Sequence, residues 1–304
     1  MLNTAQLWGA VEPVTRKFFG LGAKKVKPVF SRIARVSQGK ESVRHAMEIG
    51  GSGQLVKKTE GQNAAGLTIR QGSNKTWLYD LYAGEMTMTF ELARDNKVTE
   101  IQKAASAMGR SVALTPEYIF AQFMSRWFNT SYPATADGKP VIATNHTIVS
   151  TVTTDGTNAL ATAAALSEAS LEDMYTLIMV TNAADGMLAS MMPEKLVVPA
   201  AMSLYAKKLA MKGKTLGSAN NDPKVVGDDL SEVVTNPYLD AAGITTYWFV
   251  MTDWEQGGVF WEWDIKGDYQ EDNNIHSLNK TYLAFLRART GCDDWRHAFG
   301  TNPS

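Results

Sequence analysis

Apolar positions fall into a helical period along residues 96 to 129. Val98, Ile101, Ala105, Met108 and Val112 are separated by three or four residues, and Ile119, Phe123 and Trp127 continue the stripe beyond Pro116. That spacing sets them on one face of a helix, the signature of a core-facing element. A continuous helix over this span measures roughly 50 Å. Thr115-Pro116-Glu117 also reads as a helix start, with threonine as cap and proline at the first position. The pattern therefore admits one kinked helix or two abutting ones, and a long helix bending at Pro116 is the expectation. Phe123 and Trp127 are its expected anchors.

Elsewhere the pattern is more broken. Val29 to Val36 and Trp77 to Phe90 have the composition of strands. Asp137-Gly138 is a hairpin signal between short extended stretches. Ser170 to Met187 reads as a helix capped by Ser170, with Leu171, Met174, Tyr175, Ile178 and Met179 on its apolar face. Leu196-Val197-Val198-Pro199 is a short buried strand, and Pro199 to Lys212 a second amphipathic helix that stops at Gly213. Alternation in Thr245 to Thr252 and in Val259 to Ile265, with a turn between, predicts an antiparallel hairpin. Tyr282 to Ala288 fits a strand or a helix equally well.

Residues 45 to 76 contain almost no core-building pattern. Gly50-Gly51-Ser52-Gly53 sits in their middle, followed by Gly61, Gly66 and Gly72. A structureless span of this length is unusual inside a compact domain. Flanked by strand-like segments, it predicts a two-stranded excursion that projects from the body. Such a hairpin is only marginally stable alone and needs a partner surface.

Composition and charge narrow the class. The chain has 304 residues, 44% of them hydrophobic and 20% charged, with a formal net charge of −1. That is ordinary globular usage, with room for one large domain or two modest ones. The near-zero total hides a dipole. Residues 1 to 44 carry nine basic and two acidic side chains, whereas residues 222 to 272 carry two basic and twelve acidic ones. They are either two solvated faces, or surfaces meant to meet each other or an anion. Cys292 is the single cysteine, so no internal disulfide and no multi-thiolate zinc site is available. His45, His146, His276 and His297 stand too far apart for a zinc-protease helix. No apolar run approaches the 18 residues of a membrane span, and the N-terminus has no compact apolar signal region. A soluble protein of a reducing compartment is expected.

The candidate catalytic motifs are weak. Gly213-Lys214-Thr215 has the ending of a phosphate loop, but position 208, where the motif needs glycine, is Lys208, and a helix precedes it instead of a strand. Trp261-Glu262-Trp263-Asp264 resembles a sugar site, with two carboxylates beside indoles. On a strand, however, Glu262 and Asp264 share one face and the tryptophans the other, so a solvated or intersubunit carboxylate face is expected. A carbohydrate-active hydrolase using Trp261 to Asp264 is the runner-up function. His146 reads as a hydrogen-bonded structural histidine, and nothing near Cys292 or His297 activates the thiol.

The order of several segments resembles the major capsid proteins of tailed double-stranded DNA bacteriophages, the HK97-like fold. These are the Gly-rich excursion, Thr87 to Asp95 leading into the long helix, Gly138-Lys139-Pro140-Val141-Ile142-Ala143-Thr144-Asn145-His146, Ser170-Leu171-Glu172, Glu194-Lys195-Leu196-Val197-Val198-Pro199, Asn236-Pro237-Tyr238-Leu239 and Thr246-Tyr247-Trp248-Phe249. The resemblance runs from about residue 25 to the C-terminus and implies an α+β chain. Its parts would be an N-terminal arm (1–35), an extended loop with flanking strands (36–90) and a peripheral domain with a spine helix (91–139). An axial domain (140–244), a peripheral return hairpin (245–275) and a C-terminal segment (276–304) would follow. It further implies self-assembly into hexamers and pentamers of an icosahedral head in the virion, built in the host bacterial cytoplasm without catalysis, cofactor, metal or membrane. A portal, scaffold or decoration proteins and packaged DNA are the implied partners. Lys24, Lys25, Lys27, Arg32, Arg35, Gly50, Gly51, Gly53, Glu262 and Asp264 are the expected intersubunit residues. Some members carry a long N-terminal scaffolding segment removed by a protease. Here only about 30 residues precede the arm-like strand, so a mature form or a separate scaffold is expected.

Overall fold

A computed structural model describes residues 4–51, 53–64, 66–67, 69–95, 98–149, 153–210, 213–214, 223–224, 230–255, 257–274, 276 and 278–303. The chain begins with helix α1 (Thr4–Lys24), the short α2 (Phe30–Ile33) and strand β1 (Arg35–Gln38). Strands β2 (Val43–Gly50) and β3 (Arg70–Leu78) form an antiparallel pair around the Gly-rich loop, and β4 (Asp80–Met88) follows directly. After α3 (Phe90–Arg94) comes the spine helix α4 (Val98–Ser125). The next elements are β5 (His146–Ile148), β6 (Thr153–Gly156), α5 (Glu168–Met179), β7 (Pro193–Val198), α6 (Ser203–Leu209), β8 (Gly213–Lys214) and β9 (Pro223–Lys224). The chain ends with β10 (Glu232–Thr235), α7 (Pro237–Ala241), β11 (Trp248–Thr252), β12 (Val259–Asn273), β13 (Lys280–Cys292) and β14 (Ala298–Thr301).

Two four-stranded sheets organise the body. One has the order β1-β12-β13-β4 and the other β10-β7-β11-β14. In each the first pair is parallel and the others antiparallel. Strand β11 is buried along its whole length because the second sheet is covered on both faces. Phe249 and Met251 face the core under the spine helix, while Trp248 and Val250 face the core under α5 and α6. On β12, Trp261 and Trp263 enter the spine core, and their rings meet Phe30 at 5.0 and 6.2 Å.

The spine is one helix through Pro116. Proline there leaves the Val112 carbonyl without its helical donor, and the neighbouring Thr115 hydroxyl donates to Ser111 O at 2.8 Å. The 28 residues span about 42 Å. Of the expected anchors, Trp127 is fully buried just past the helix end and Phe123 is half-buried; Phe120, Ala121 and Met124 are the deeper contacts. Just after the proline, the buried carboxylate of Glu117 accepts the N–H groups of Val29 at 2.6 Å and Phe30 at 3.2 Å. It thereby caps α2, which has no cap from its own sequence.

Several local expectations are corrected. Val29 to Val36 is not one strand: Phe30–Ile33 is helical, and the strand begins at Arg35. The cap of α5 is Ser167, which accepts from Ser170 N at 3.1 Å while the Ser170 hydroxyl accepts from Ser167 N at 2.9 Å. Ser170 is thus the third helical residue, and the helix stops at Met179, eight residues short of the expected Met187. Pro199 is extended, a 3-10 turn spans Ala200–Met202, and α6 ends at Leu209; Met211 and Lys212 lie outside the described residues. The hairpin of Thr245 to Ile265 does not form. β11 pairs with β7 and β14, and β12 pairs with β1 and β13, so the turn between them changes sheets. Asp137-Gly138 turns the chain without a flanking strand pair. Tyr282 to Ala288 is strand.

The segment expected as an arm is largely the helix α1, laid against the spine helix. A Cβ on Gly22 would lie 2.0 Å from Ser106 O, and one on Gly109 would lie 2.0 Å from Phe19 O. Two glycines thus let the backbones touch. Tyr269 adds a tether from β12, donating its hydroxyl to Thr15 Oγ1 at 3.1 Å. Gly109→Ala improves intrinsic helix propensity by about 1 kcal/mol, yet forces the helices apart at a cost of about 1–3 kcal/mol. We expect a lower thermal midpoint from calorimetry; a raised midpoint would mean that α1 is not seated on the spine.

Candidate assembly interface

The β2–β3 hairpin carries its apolar side chains into solvent. Leu55 is 77% exposed, Val56 72% and Ile69 69%, and Met47, Ile49 and Leu67 are exposed as well. The root of this hairpin is fixed on its own subunit. Fully buried Arg296 donates from Nη1 to Glu48 Oε1 at 2.9 Å and to Asp294 Oδ1 at 3.1 Å, and from Nε to Asn182 O at 2.8 Å. Burial pushes the Glu48 carboxyl above its ordinary value, against the pull of Arg296. Gly50 is buried against Val149, where a Cβ would lie 2.9 Å from Cγ1, and Gly51 lies beside Asp185. Gly53 has φ +70, and from there outward the loop is exposed. The three glycines therefore differ: the first two seat the root, and the third releases the tip.

Glu262 and Asp264 do not form a common solvated face. Glu262 is 4% exposed. It accepts from Arg289 Nη2 at 2.6 Å, Arg44 Nη1 at 2.7 Å and the Tyr79 hydroxyl at 2.8 Å. Burial raises its carboxyl pKa, but these three donors outweigh burial and hold it below the usual range. In turn Tyr79 is pushed up to about 12 by burial and by the Glu262 charge. Arg44 also reaches Asp293 Oδ2 at 2.5 Å, so this cluster pins β2 to β12 and β13. Asp264 stays half-exposed and pairs with Arg287 at 2.8 Å. The expectation missed Arg44, Tyr79 and Arg289 because strand alternation says which face a carboxylate takes, not what covers it.

The basic residues divide likewise. Arg32 pairs with Glu232, and Arg35 donates to the carbonyls of Trp254 and Glu255, all within the chain. Lys24, Lys25 and Lys27 at the end of α1 are exposed. His146 Nδ1 lies 2.8 Å from Asp137 Oδ2, and the ring stacks on Trp295 at 4.5 Å and 3°. Burial works against the charge on Asp137, but the His146 ring, the Thr135 hydroxyl and the Thr147 N–H bring its pKa down to about 2. Cys292 is buried, and burial raises its thiol well above the ordinary value. Gly213 and Lys214 are in β8, and Thr215 lies outside the described residues. Among the described residues no group of His, Cys, Asp or Glu could hold a metal ion, and no helix is long and apolar enough to cross a membrane.

A subunit with this much bare apolar surface on one hairpin belongs to the class of proteins that bury it by association. A family model for phage capsid proteins matches residues 81–299, and the chain belongs to that family. It is a structural protein of a capsid shell. No curated protein matches it in sequence. Among solved structures it is similar to the virus-like particle from Pyrococcus furiosus, at 11% identity over 95% of this chain and 98% of that one, with a TM-score of 0.54. The capsid of the cyanophage P-SCSP1u matches at 11% identity over 90% and 87%, TM-score 0.54. The capsid of Myoviridae phage XM1 matches at 10% over 90% and 90%, TM-score 0.52. At these identities the likeness is one of fold, the α+β HK97-like capsid fold.

Removing one partner of a buried ion pair strands the other charge, at about 3–5 kcal/mol, whereas an exposed pair is worth about 0–1 kcal/mol. Glu262→Ala should therefore lower the urea midpoint strongly, and Asp264→Asn should leave it nearly unchanged. Equal effects would contradict the assignment of Glu262 as the buried member.

Proposed function

We propose that this chain is the major shell subunit of a tailed-phage head, assembling into hexamers and pentamers that close an icosahedral shell around double-stranded DNA. The observation that carries this is the hairpin tip, where Leu55, Val56 and Ile69 stand bare beyond a root already seated on the body. A neighbouring subunit covers them in a shell. Residues 1–35 then act as the arm, 36–90 as the extended loop with its strands, 91–139 and 245–275 as the peripheral part and 140–244 as the axial part. Assembly takes place in the host cytoplasm, with a portal and scaffold or decoration proteins as further partners. The chain carries no catalytic step. Glu262, the carboxylate a hydrolase would need, is closed off by two arginines and a tyrosine.

Negative-stain microscopy of the purified protein should show shells, rings or tubes; compact monomers at every concentration would overturn the reading. Deleting residues 54–64 spares the seated root and, being confined to exposed loop, should change the thermal midpoint little. It should abolish closed shells, and normal particles from the deletion would exclude the tip as an assembly element.

Lys24, Lys25 and Lys27 form an exposed basic group at and just beyond the end of α1, whereas Arg32 and Arg35 are engaged within the chain. We assign them to an acidic segment of a neighbour, since exposed pairs of about 0–1 kcal/mol each accumulate when every subunit repeats them. Reversing all three to Glu should impair empty shells assembled without DNA. Normal empty shells with defective packaging would hand these lysines to DNA, whose binding falls steeply with salt.

A further inference from the structure

The second sheet ends in two unlike surfaces. Helix α6 packs against β10 and β7 at one edge of the order β10-β7-β11-β14. Its outer side carries Leu204, 83% exposed, together with exposed Tyr205 and Lys207. The helix contains no acidic residue. At the opposite edge α5 packs against β14, and Ala159 bridges to Gly300 of that strand. Between α5 and the segment 157–161 lies a hollow of about 650 Å³ walled by Ala159, Leu160, Leu177 and Val180, with Asp173 among its lining. The outer side of α5 presents Glu168, Glu172 and Asp173, and the helix contains no basic residue.

We infer that the α6 face of one copy seats in the α5 hollow of the next, with Leu204 and Tyr205 as the inserted pair and Lys207 opposite Asp173. The occupant is a second copy of this chain because knob and hollow have opposite charge and lie on opposite edges of one sheet. A contact between unlike patches is head-to-tail, and repetition of it around an axis closes a ring. This rests on the shell reading and specifies the contact that would build its capsomers.

Leu204 is exposed, so Leu204→Asp should keep the wild-type thermal midpoint. In sedimentation velocity it should raise the protein concentration for half-assembly by about tenfold or more, as loss of a central apolar anchor does. Lys207→Glu should weaken assembly several-fold, and adding Asp173→Lys to it should restore assembly. If wild type assembles and Leu204→Asp assembles equally well, or if the double reversal is no better than the single, the contact is wrong while the shell reading stands. If wild type remains monomeric, both fall. Rings that persist in Leu204→Asp with loss of binding to another phage protein would reassign the surface to that protein and overturn the self-contact.

Discussion

One carboxylate on the spine helix sets the arrangement of the body. Glu117 takes the two N–H groups that begin α2, and through them it fixes where the chain turns into β1. β1 then lies parallel to β12 with Arg35 opposite Phe260 and Gln38 opposite Trp263. Phe30, carried by the same turn, fills the space between Phe120 on the spine and the indoles of β12. Burial raises the Glu117 carboxyl pKa against the two amide donors. The fold accepts that cost because the capped turn closes the core between helix and sheet.

The same economy recurs at two other places. Arg296, in the turn before β14, and the Arg44–Glu262–Arg289 cluster on β12 and β13 join the hairpin to distant parts of the chain through largely buried, partnered ions. A hairpin of two strands does not hold its own direction. Anchored by buried ions at its root and left bare at its tip, it has a set orientation and an uncovered apolar end. A shell protein needs that combination, since its contact points must be positioned before the partner arrives.

The spine helix, the long loop and the buried strand Leu196–Val198 were legible in the chain because each rests on local periodicity or local composition. The face taken by Trp261 and Trp263 followed from alternation alone. The partners of Glu262 were not legible: Arg44 comes from β2, Tyr79 from the link between β3 and β4 and Arg289 from β13, and only the tertiary fold brings them to one place. The hairpin expected at Thr245 to Ile265 failed for a related reason. Two adjacent alternating segments imply pairing when nothing competes, but β11 had better partners in β7 and β14, which cover both its edges. Helix α1 was missed because Gly20 and Gly22 depress local propensity, and its stability comes from contact with the spine.

The parallel pairing of β1 with β12 has a consequence for the ribosome-bound chain. Arg35 cannot meet Phe260 until the intervening polypeptide has been made. At about 5–20 residues per second this delay lasts roughly 10–45 s. Until then the first sheet lacks its inner strands, and β4 has no β13 to pair with. A nascent subunit therefore cannot offer a finished first sheet while most of that sheet is still unsynthesised. Completion of the chain acts as a clock that holds back association with copies already released.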